Sequence, residues 1–371
     1  MAKKRGHGDG SITYREGRAK PWLARTSKAS GKALQTRNFA TKQEATVWLR
    51  QVGNEMDEGT YTDPSKLSLA QWMTTWLETY KRPSVEIRTY EGYASINRLY
   101  ITPTIGHIEL QKLQPVHIQT MLNSCAEEEL SKRTLQYIVA TLRPALKQAL
   151  RDGLVTRNAA EAVSLPKSNA TPTKKRALSR QELTALFDIC ADEPRLNIAV
   201  RIMAGTGVRI GELLGLRWDD IDMQRSTMNI ARAITTSRTE GRIVKQPKTS
   251  ASIRAIPLPA ALVEALQAWK IMQIEERLQA GADWQDTAGA VMTMQNGSLV
   301  RAEWISGNLR KRGAYSAHEL RHTYATLLVE NGVDLKTVQE LLGHATTRMV
   351  MEVYAHSNDE AKRKAVEALG L

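Results

Sequence analysis

The 371-residue sequence contains only two cysteines, Cys125 and Cys190, and only two phenylalanines. Two thiols are too few for a disulfide framework or a thiolate-held zinc cluster. No apolar run is long enough to cross a bilayer, and no basic amphipathic helix stands apart from the folded segments. A membrane partner is therefore not expected. The opening residues, Met1-Ala2-Lys3-Lys4-Arg5-Gly6-His7, are basic but lack the apolar stretch of a signal peptide. With so few cysteines, the expected location is cytoplasmic and reducing. Internal repeats and low-complexity tracts are also missing, which excludes solenoids and repeat arrays.

Negative charge is in short supply as well. Asp and Glu number 39 against 52 Lys and Arg, for a net charge of +13. A surplus of this kind is the electrostatic footprint of a protein that meets a polyanion, and nucleic acid is the expected partner. The hydrophobic share of 42% is enough for folded cores, and the length suggests two or three domains.

Three segments emerge along the chain. Residues 1–62 open with short alternating stretches, Ser11-Ile12-Thr13-Tyr14-Arg15, Pro21-Trp22-Leu23-Ala24-Arg25 and Gln35-Thr36-Arg37-Asn38-Phe39, divided by turn residues. They read as three strands. Thr41-Lys42-Gln43-Glu44 then resembles a capping box that opens a helix running to about Glu58. Residues 66–165 are helical throughout, with apolar positions at three- and four-residue spacing over Leu67–Tyr80, Ile87–Ile101, Pro115–Glu127 and Ser131–Asp152. Breaks are expected at Arg82-Pro83, Thr102-Pro103-Thr104, Glu127 to Leu130 and Gly153. Residues 166–176 read as an exposed basic linker. Residues 177–371 mix helices with strand-like pieces near 226–233, 241–246 and 252–257. The predicted fold class is a multidomain, mainly α chain with small β-sheets.

The chemistry-bearing residues gather in the last segment. Gly205-Thr206-Gly207-Val208-Arg209-Ile210-Gly211-Glu212 places Arg209 at a helix start, with Glu212 one turn on. By themselves these two would be an ordinary surface pair. In Ser316-Ala317-His318-Glu319-Leu320-Arg321-His322, His318 and Arg321 share one side of a helix. His318 and His322 are also spaced for a metal ion. Leu341-Leu342-Gly343-His344 and Val353-Tyr354-Ala355-His356 follow, so four of the seven histidines fall in the final 54 residues.

The order Arg209, Lys248, His318-x-x-Arg321, His344, Tyr354 resembles the catalytic signature of the tyrosine recombinases, the family of phage integrases and Xer-type resolvases. The resemblance extends to the flanking Thr206-Gly207-Val208-Arg209-Ile210-Gly211-Glu212 and Leu341-Leu342-Gly343-His344, and it spans the C-terminal segment. It implies a mixed α+β catalytic domain that cuts and rejoins DNA through a 3′-phosphotyrosyl bond, with no cofactor, metal or ATP. Tyr354 would be the nucleophile. A phosphodiester repels nucleophiles and gains negative charge in the transition state, so Arg209 and Arg321 would supply permanently charged, bidentate donors, with a further hydrogen bond from His344. His318 would accept and return a proton. The family's hairpin lysine, which protonates the leaving 5′ oxygen, corresponds to Lys248 in Pro247-Lys248-Thr249 better than to Lys245. Glu212 matches the acidic residue that supports the pocket.

The upstream segments resemble other parts of the same family. Ile105-Gly106-His107-Ile108-Glu109-Leu110-Gln111-Lys112-Leu113 and Leu130-Ser131-Lys132-Arg133-Thr134-Leu135 are similar to the helical, SAM-like core-binding domain, with one departure at Asn158-Ala159, where many relatives have Asn-Pro. Candidate phosphate contacts there are Arg88, Lys132, Arg133 and Lys147. The first segment resembles an arm-type DNA-binding domain, with Tyr14, Arg15, Trp22, Arg25 and Arg37 as groove-facing candidates. Such a domain implies a phage or mobile-element integrase rather than a simple Xer-type resolvase. The implied partners are double-stranded DNA at attachment sites, a homo-tetramer on synapsed DNA, a host DNA-bending factor and an excisionase. The implied setting is the nucleoid of a bacterial host. Two other classes are disfavoured: a catalytically silent DNA-binding regulator, because all six catalytic positions are filled, and a metal hydrolase using His318, His322 and His344, because no Asp or Glu motif completes a ligand set and Arg321 would repel a cation. Asp219, Asp220 and Asp222 read as solvated loop caps.

Overall fold

Alternation in the first segment produces a three-stranded antiparallel sheet of β1 (Ser11–Tyr14), β2 (Trp22–Arg25) and β3 (Thr36–Phe39), in that order. The computed structural model describes residues 10–26, 35–57, 62, 65–170, 177–245, 253–313 and 315–343. They belong to two compact units, Met1–Pro172 and Thr173–Leu371. Helix α1 (Lys42–Asp57) starts as its capping box predicts: Glu44 N–H donates to Thr41 Oγ1 at 3.2 Å, and Thr41 N–H donates back to Glu44 Oε2 at 3.4 Å.

The strand register decides what the sheet presents. Tyr14, Trp22 and Phe39 are cross-strand partners, as are Ile12, Ala24 and Arg37. Partners and their second neighbours share one face. That face packs against Ala45, Trp48 and Leu49 of α1. The opposite face carries a buried Leu23 at its centre, with Ser11, Thr13, Arg25, Thr36 and Asn38 exposed around it.

The helical segment closes over its own core. Ser68 caps α2 (Leu69–Thr75), which passes into a π-helical turn over Trp76–Lys81. Helix α3 (Ile87–Ile96) likewise runs through a π-helical stretch, Asn97–Ile101, into α4 (Thr102–Ile105). The break expected at Thr102-Pro103-Thr104 therefore does not occur. Pro103 falls in the first turn of α4, and the π-helical stretch just before it takes up the irregularity that the proline imposes. Helices α5 (Pro115–Glu127) and α6 (Lys132–Arg151) complete the set. Leu69, Trp72, Met73, Trp76, Ile118, Leu122, Leu135, Ile138, Leu142 and Leu146 are all buried between them. Trp72 Nε1 donates to the Ala145 carbonyl at 3.0 Å. At the Asn158-Ala159 departure the loop is still tied to α6, because Asn158 Nδ2 donates to the Arg143 carbonyl at 3.1 Å.

The second unit packs α7 (Arg180–Ile189), α8 (Pro194–Thr206), α9 (Ile210–Gly215), α10 (Ala260–Ala280), α11 (Ala302–Lys311), α12 (Ala317–Glu330) and α13 (Leu335–Leu342) around one apolar core and a small satellite cluster. A three-stranded antiparallel sheet is ordered β4 (Ile221–Asp222), β5 (Thr227–Ile230), β8 (Arg254–Pro257). A separate hairpin is formed by β6 (Ala233–Ser237) and β7 (Gly241–Lys245). The single strand expected over 226–233 is thus two. Ala231 and Arg232 leave the sheet, and the Arg232 guanidinium pairs with Asp220. Asp220 is accordingly buried in an ion pair and accepts from Arg217 N–H at 2.8 Å, which corrects the expectation of a solvated cap. Asp222 does cap its turn, accepting from the backbone of Gln224 and Arg225.

Candidate active site

Helix α8 ends at Gly207, whose left-handed φ of 63° reverses the chain. A Cβ there would sit 2.4 Å from the Tyr324 ring, so the turn needs glycine on both backbone and steric grounds. Two residues on, Arg209 is extended and begins α9. Helix α9 lies close under the β6–β7 hairpin. Gly211 and Gly215 leave no room for a Cβ beside the carbonyls of Ile234 and Arg232. The hairpin is therefore held against the helix that Arg209 begins.

Glu212 is buried one turn into α9 and is saturated with donors. Its Oε1 accepts from Arg209 Nη1 at 2.8 Å and from Arg254 Nη1 at 3.3 Å. Its Oε2 accepts from Arg209 N–H and from Arg254 Nη2, both at 2.9 Å. Burial by itself would raise the Glu212 pKa, but the hydrogen bonds and charges of Arg254 and Arg209 hold its carboxyl below the usual range. Arg209, its side chain 45% exposed, is thus the solvent-facing member of a three-residue cluster in which Glu212 and Arg254 are buried.

Arg321, on α12, is 5% exposed and reaches back to the same region. It donates from Nη1 to the Gly207 carbonyl and from Nη2 to the Leu342 carbonyl, the latter at 2.7 Å. Burial and the charges of Arg209 and Arg254 pull its pKa down to about 9, with Glu212 opposing. His318 lies one turn earlier on α12, in an exposed position. The helix start is fixed by Ser316, whose Oγ accepts from Glu319 N–H at 3.2 Å. Tyr324, also on α12, is partly buried with its phenol pKa raised by burial, so it is poorly suited to ionise.

The end of α13 gathers the cluster. Helix α13 stops at Gly343, again left-handed with φ 62°. Three successive carbonyls accept from three different arginines: Leu341 from Arg254 Nε at 2.7 Å, Leu342 from Arg321, and Gly343 from Arg209 Nη2 at 3.3 Å. A helix C-terminus carries partial negative charge and favours cations in this way. His344 is the next residue in the chain.

Arg209, Glu212 and Arg321 are thus brought together, and His318 shares a helix with Arg321. Lys248, His344 and Tyr354 lie outside the described residues. Arg88, Lys132, Arg133 and Lys147 are all exposed on the helical segment. Arg133 and Lys147 fall on neighbouring sides of α6, with Tyr137 flanking Arg133 and stacked under its guanidinium at 5.4 Å. The five candidates of the first segment do not share a face. Tyr14, Trp22 and Arg37 are on the α1 side, Arg25 is on the open side, and Arg15 lies just past β1. Trp22 stacks edge-on against Tyr14 at 5.0 Å, with Lys42 over its ring.

Arg254 is the site residue that sequence reading passed over. Its signal was a charged residue at an inward position of a strand, because Arg254 and Ile256 alternate as buried with exposed Ala255 and Pro257. Among the described residues no group of three or more His, Cys, Asp or Glu side chains is placed to hold a metal ion. No helix among them is long and apolar enough to cross a membrane.

Residues 176–361 match the phage integrase family, and residues 68–126 match the phage integrase N-terminal SAM-like domain. A tyrosine recombinase XerC-like protein of Caldanaerobacter subterraneus subsp. tengcongensis is 30% identical, over 89% of this chain and 89% of its own. An integrase of Streptomyces ambofaciens is 28% identical, over 95% of this chain and 94% of its own. Among solved structures, the Tn1549 transposon integrase in complex with a circular intermediate DNA has the same fold, with a TM-score of 0.67 at 22% identity, covering 81% of this chain and 99% of that one. A lambda integrase tetramer bound to a Holliday junction matches with a TM-score of 0.57 at 18% identity, over 94% of this chain and 96% of that one. An arginine cluster closed around one buried carboxylate therefore sits in a chain that belongs to the phage integrase family of tyrosine site-specific recombinases.

Proposed function

We propose that this recombinase cleaves DNA by attack of the Tyr354 hydroxyl on a scissile phosphate. The bond from phosphorus to the 5′ oxygen breaks, and a 3′-phosphotyrosyl ester remains. Arg209 and Arg321 bind the non-bridging oxygens, where charge grows in the transition state, and His344 adds a hydrogen bond. His318 takes the phenolic proton, and Lys248 gives one to the leaving 5′ oxygen. Attack by the 5′ hydroxyl of the partner strand reverses these transfers. One ester is exchanged for another, so neither ATP nor an external oxidant is required.

The observation that carries this reading is electrostatic. Arg209 and Arg254 share one carboxylate, Glu212, and beside them Arg321 has its pKa lowered by burial and by the charges of Arg209 and Arg254. A cluster held together with unbalanced positive charge favours an entering anion, and a phosphodiester supplies it.

The parsing into residues 1–62, 66–165, 166–176 and 177–371 belongs to the same proposal. The first segment reads a second class of site, and the helical segment grips the core site through Arg88, Lys132, Arg133 and Lys147. The fold match that extends over most of the chain to lambda integrase supports a two-site integrase over an Xer-type resolvase. On this reading the chain acts as a tetramer on paired attachment sites, with a host DNA-bending factor and an excisionase setting direction, at the nucleoid. A silent regulator is less well supported, because Arg209, Lys248, His318, Arg321, His344 and Tyr354 are all present.

The test is covalent trapping in EDTA on a nicked suicide duplex carrying a footprinted core site, read on a denaturing gel. Wild-type protein forms an adduct and Tyr354→Phe forms none. Absence of a wild-type adduct would sink the mechanism, and an adduct that persists in Tyr354→Phe would sink the nucleophile.

A further inference from the structure

We infer that Arg254, on β8, is a positioning residue for DNA cleavage, setting both the Arg209 guanidinium and the end of α13 without touching the DNA. The inference rests on the phosphate role proposed for Arg209. The Arg254 side chain is 6% exposed, and its Nε, Nη1 and Nη2 donors are all directed at protein acceptors, the Leu341 carbonyl and the Glu212 carboxylate. Through Nη1 and Nη2 it holds both oxygens of Glu212, the carboxylate that in turn fixes Arg209 by side chain and backbone. Through Nε it holds the Leu341 carbonyl. Its guanidinium also backs the α13 terminus directly, since a Cβ on Gly343 would come within 2.8 Å of Nη1.

One planar group therefore joins three pieces of chain distant in sequence: the α9 start, strand β8 and the α13 C-terminus. Arg209 and His344 leave from two of those pieces. A guanidinium suits the task because its donors diverge in a rigid plane, so a carboxylate and a carbonyl can be held at once. A lysine ammonium on a flexible stem cannot span both with fixed geometry. A bidentate charge-assisted pair also resists the pull of an incoming phosphate on Arg209, which would otherwise swing that side chain off Glu212.

The experiment uses the full chain, with single-turnover adduct formation on the nicked suicide duplex, gel-shift affinity for the intact duplex, and thermal unfolding. Arg254→Gln should slow adduct formation by about 100-fold while DNA affinity stays within about threefold, because positioning is lost in the transition state rather than in the complex. Arg254→Lys, which keeps the buried charge, should melt near wild type yet cleave about 10-fold more slowly. In an Arg209→Lys background, Arg254→Gln should cost less than about threefold more, since the group it positions is already compromised. Wild-type cleavage rates in Arg254→Lys, or full additivity with Arg209→Lys, would overturn the inference. If Arg254→Gln does not fold, the Arg254→Lys rate decides. A wild-type chain that forms no adduct overturns the underlying mechanism instead, so the two failures are separable.

Discussion

Arg321 Nη2 donates to the Leu342 carbonyl across 2.7 Å, which ties the helix bearing His318 to the residue two before His344. Its Nη1 meanwhile holds the Gly207 carbonyl, in the turn that leads to Arg209. One buried guanidinium thus spaces the ends of three helices. Arg321→Lys keeps the charge but not the fork. Single-turnover adduct formation is expected to fall by roughly 100- to 1,000-fold, with DNA affinity changed less than about tenfold. Cleavage at the wild-type rate would show that spacing by Arg321 is unimportant.

Glu212 makes stability depend on acidity. Its carboxyl is held below its ordinary value of 4.5, so the unfolded chain takes up the proton more readily than the folded one. Its contribution is complete above that ordinary value and is lost as pH falls through the lowered native one. Urea midpoints measured from about pH 6 down to about pH 3 should drop more steeply for wild type than for Glu212→Gln. Parallel profiles would contradict the assignment.

Gly207→Ala should destabilise the second unit. The substitution places a Cβ at φ 63° and drives it into the Tyr324 ring. Left-handed backbone and ring displacement together are expected to cost roughly 2–3 kcal/mol. Calorimetry of the full chain checks this, since the unit's own transition should shift downward. A change within about 0.5 kcal/mol would mean that the turn relaxes freely.

The two faces of the first sheet separate binding from folding. Arg25 is on the open face, whereas Trp22 packs toward α1. Arg25→Ala should weaken binding to one class of site and lower the salt slope by about 1, with the proteolytic pattern unchanged. Trp22→Ala should expose the first 62 residues to protease by removing an aromatic from a small core. If Arg25→Ala leaves affinity and slope alone, the open face does not meet DNA.

Local rules carried the reading far. The capping box at Thr41 placed the start of α1 from sequence, because it is decided within a turn of backbone. Where a side chain had a distant partner, local rules gave way. Ala231 and Arg232 left an expected strand because Arg232 finds Asp220, and an expected break at Pro103 was absorbed by a π-helical turn before it.

The sequence by itself determined the family resemblance and the basic balance, and it named Arg209, Glu212, His318 and Arg321 as candidates, because residue type and short spacing record chemistry. Only the tertiary structure decided that Arg254 lies beside them and that three arginines converge on the carbonyls of residues 341–343. Those facts depend on contacts between residues tens of positions apart. Pattern along a chain fixes which face a side chain takes, but packing alone fixes what it meets there.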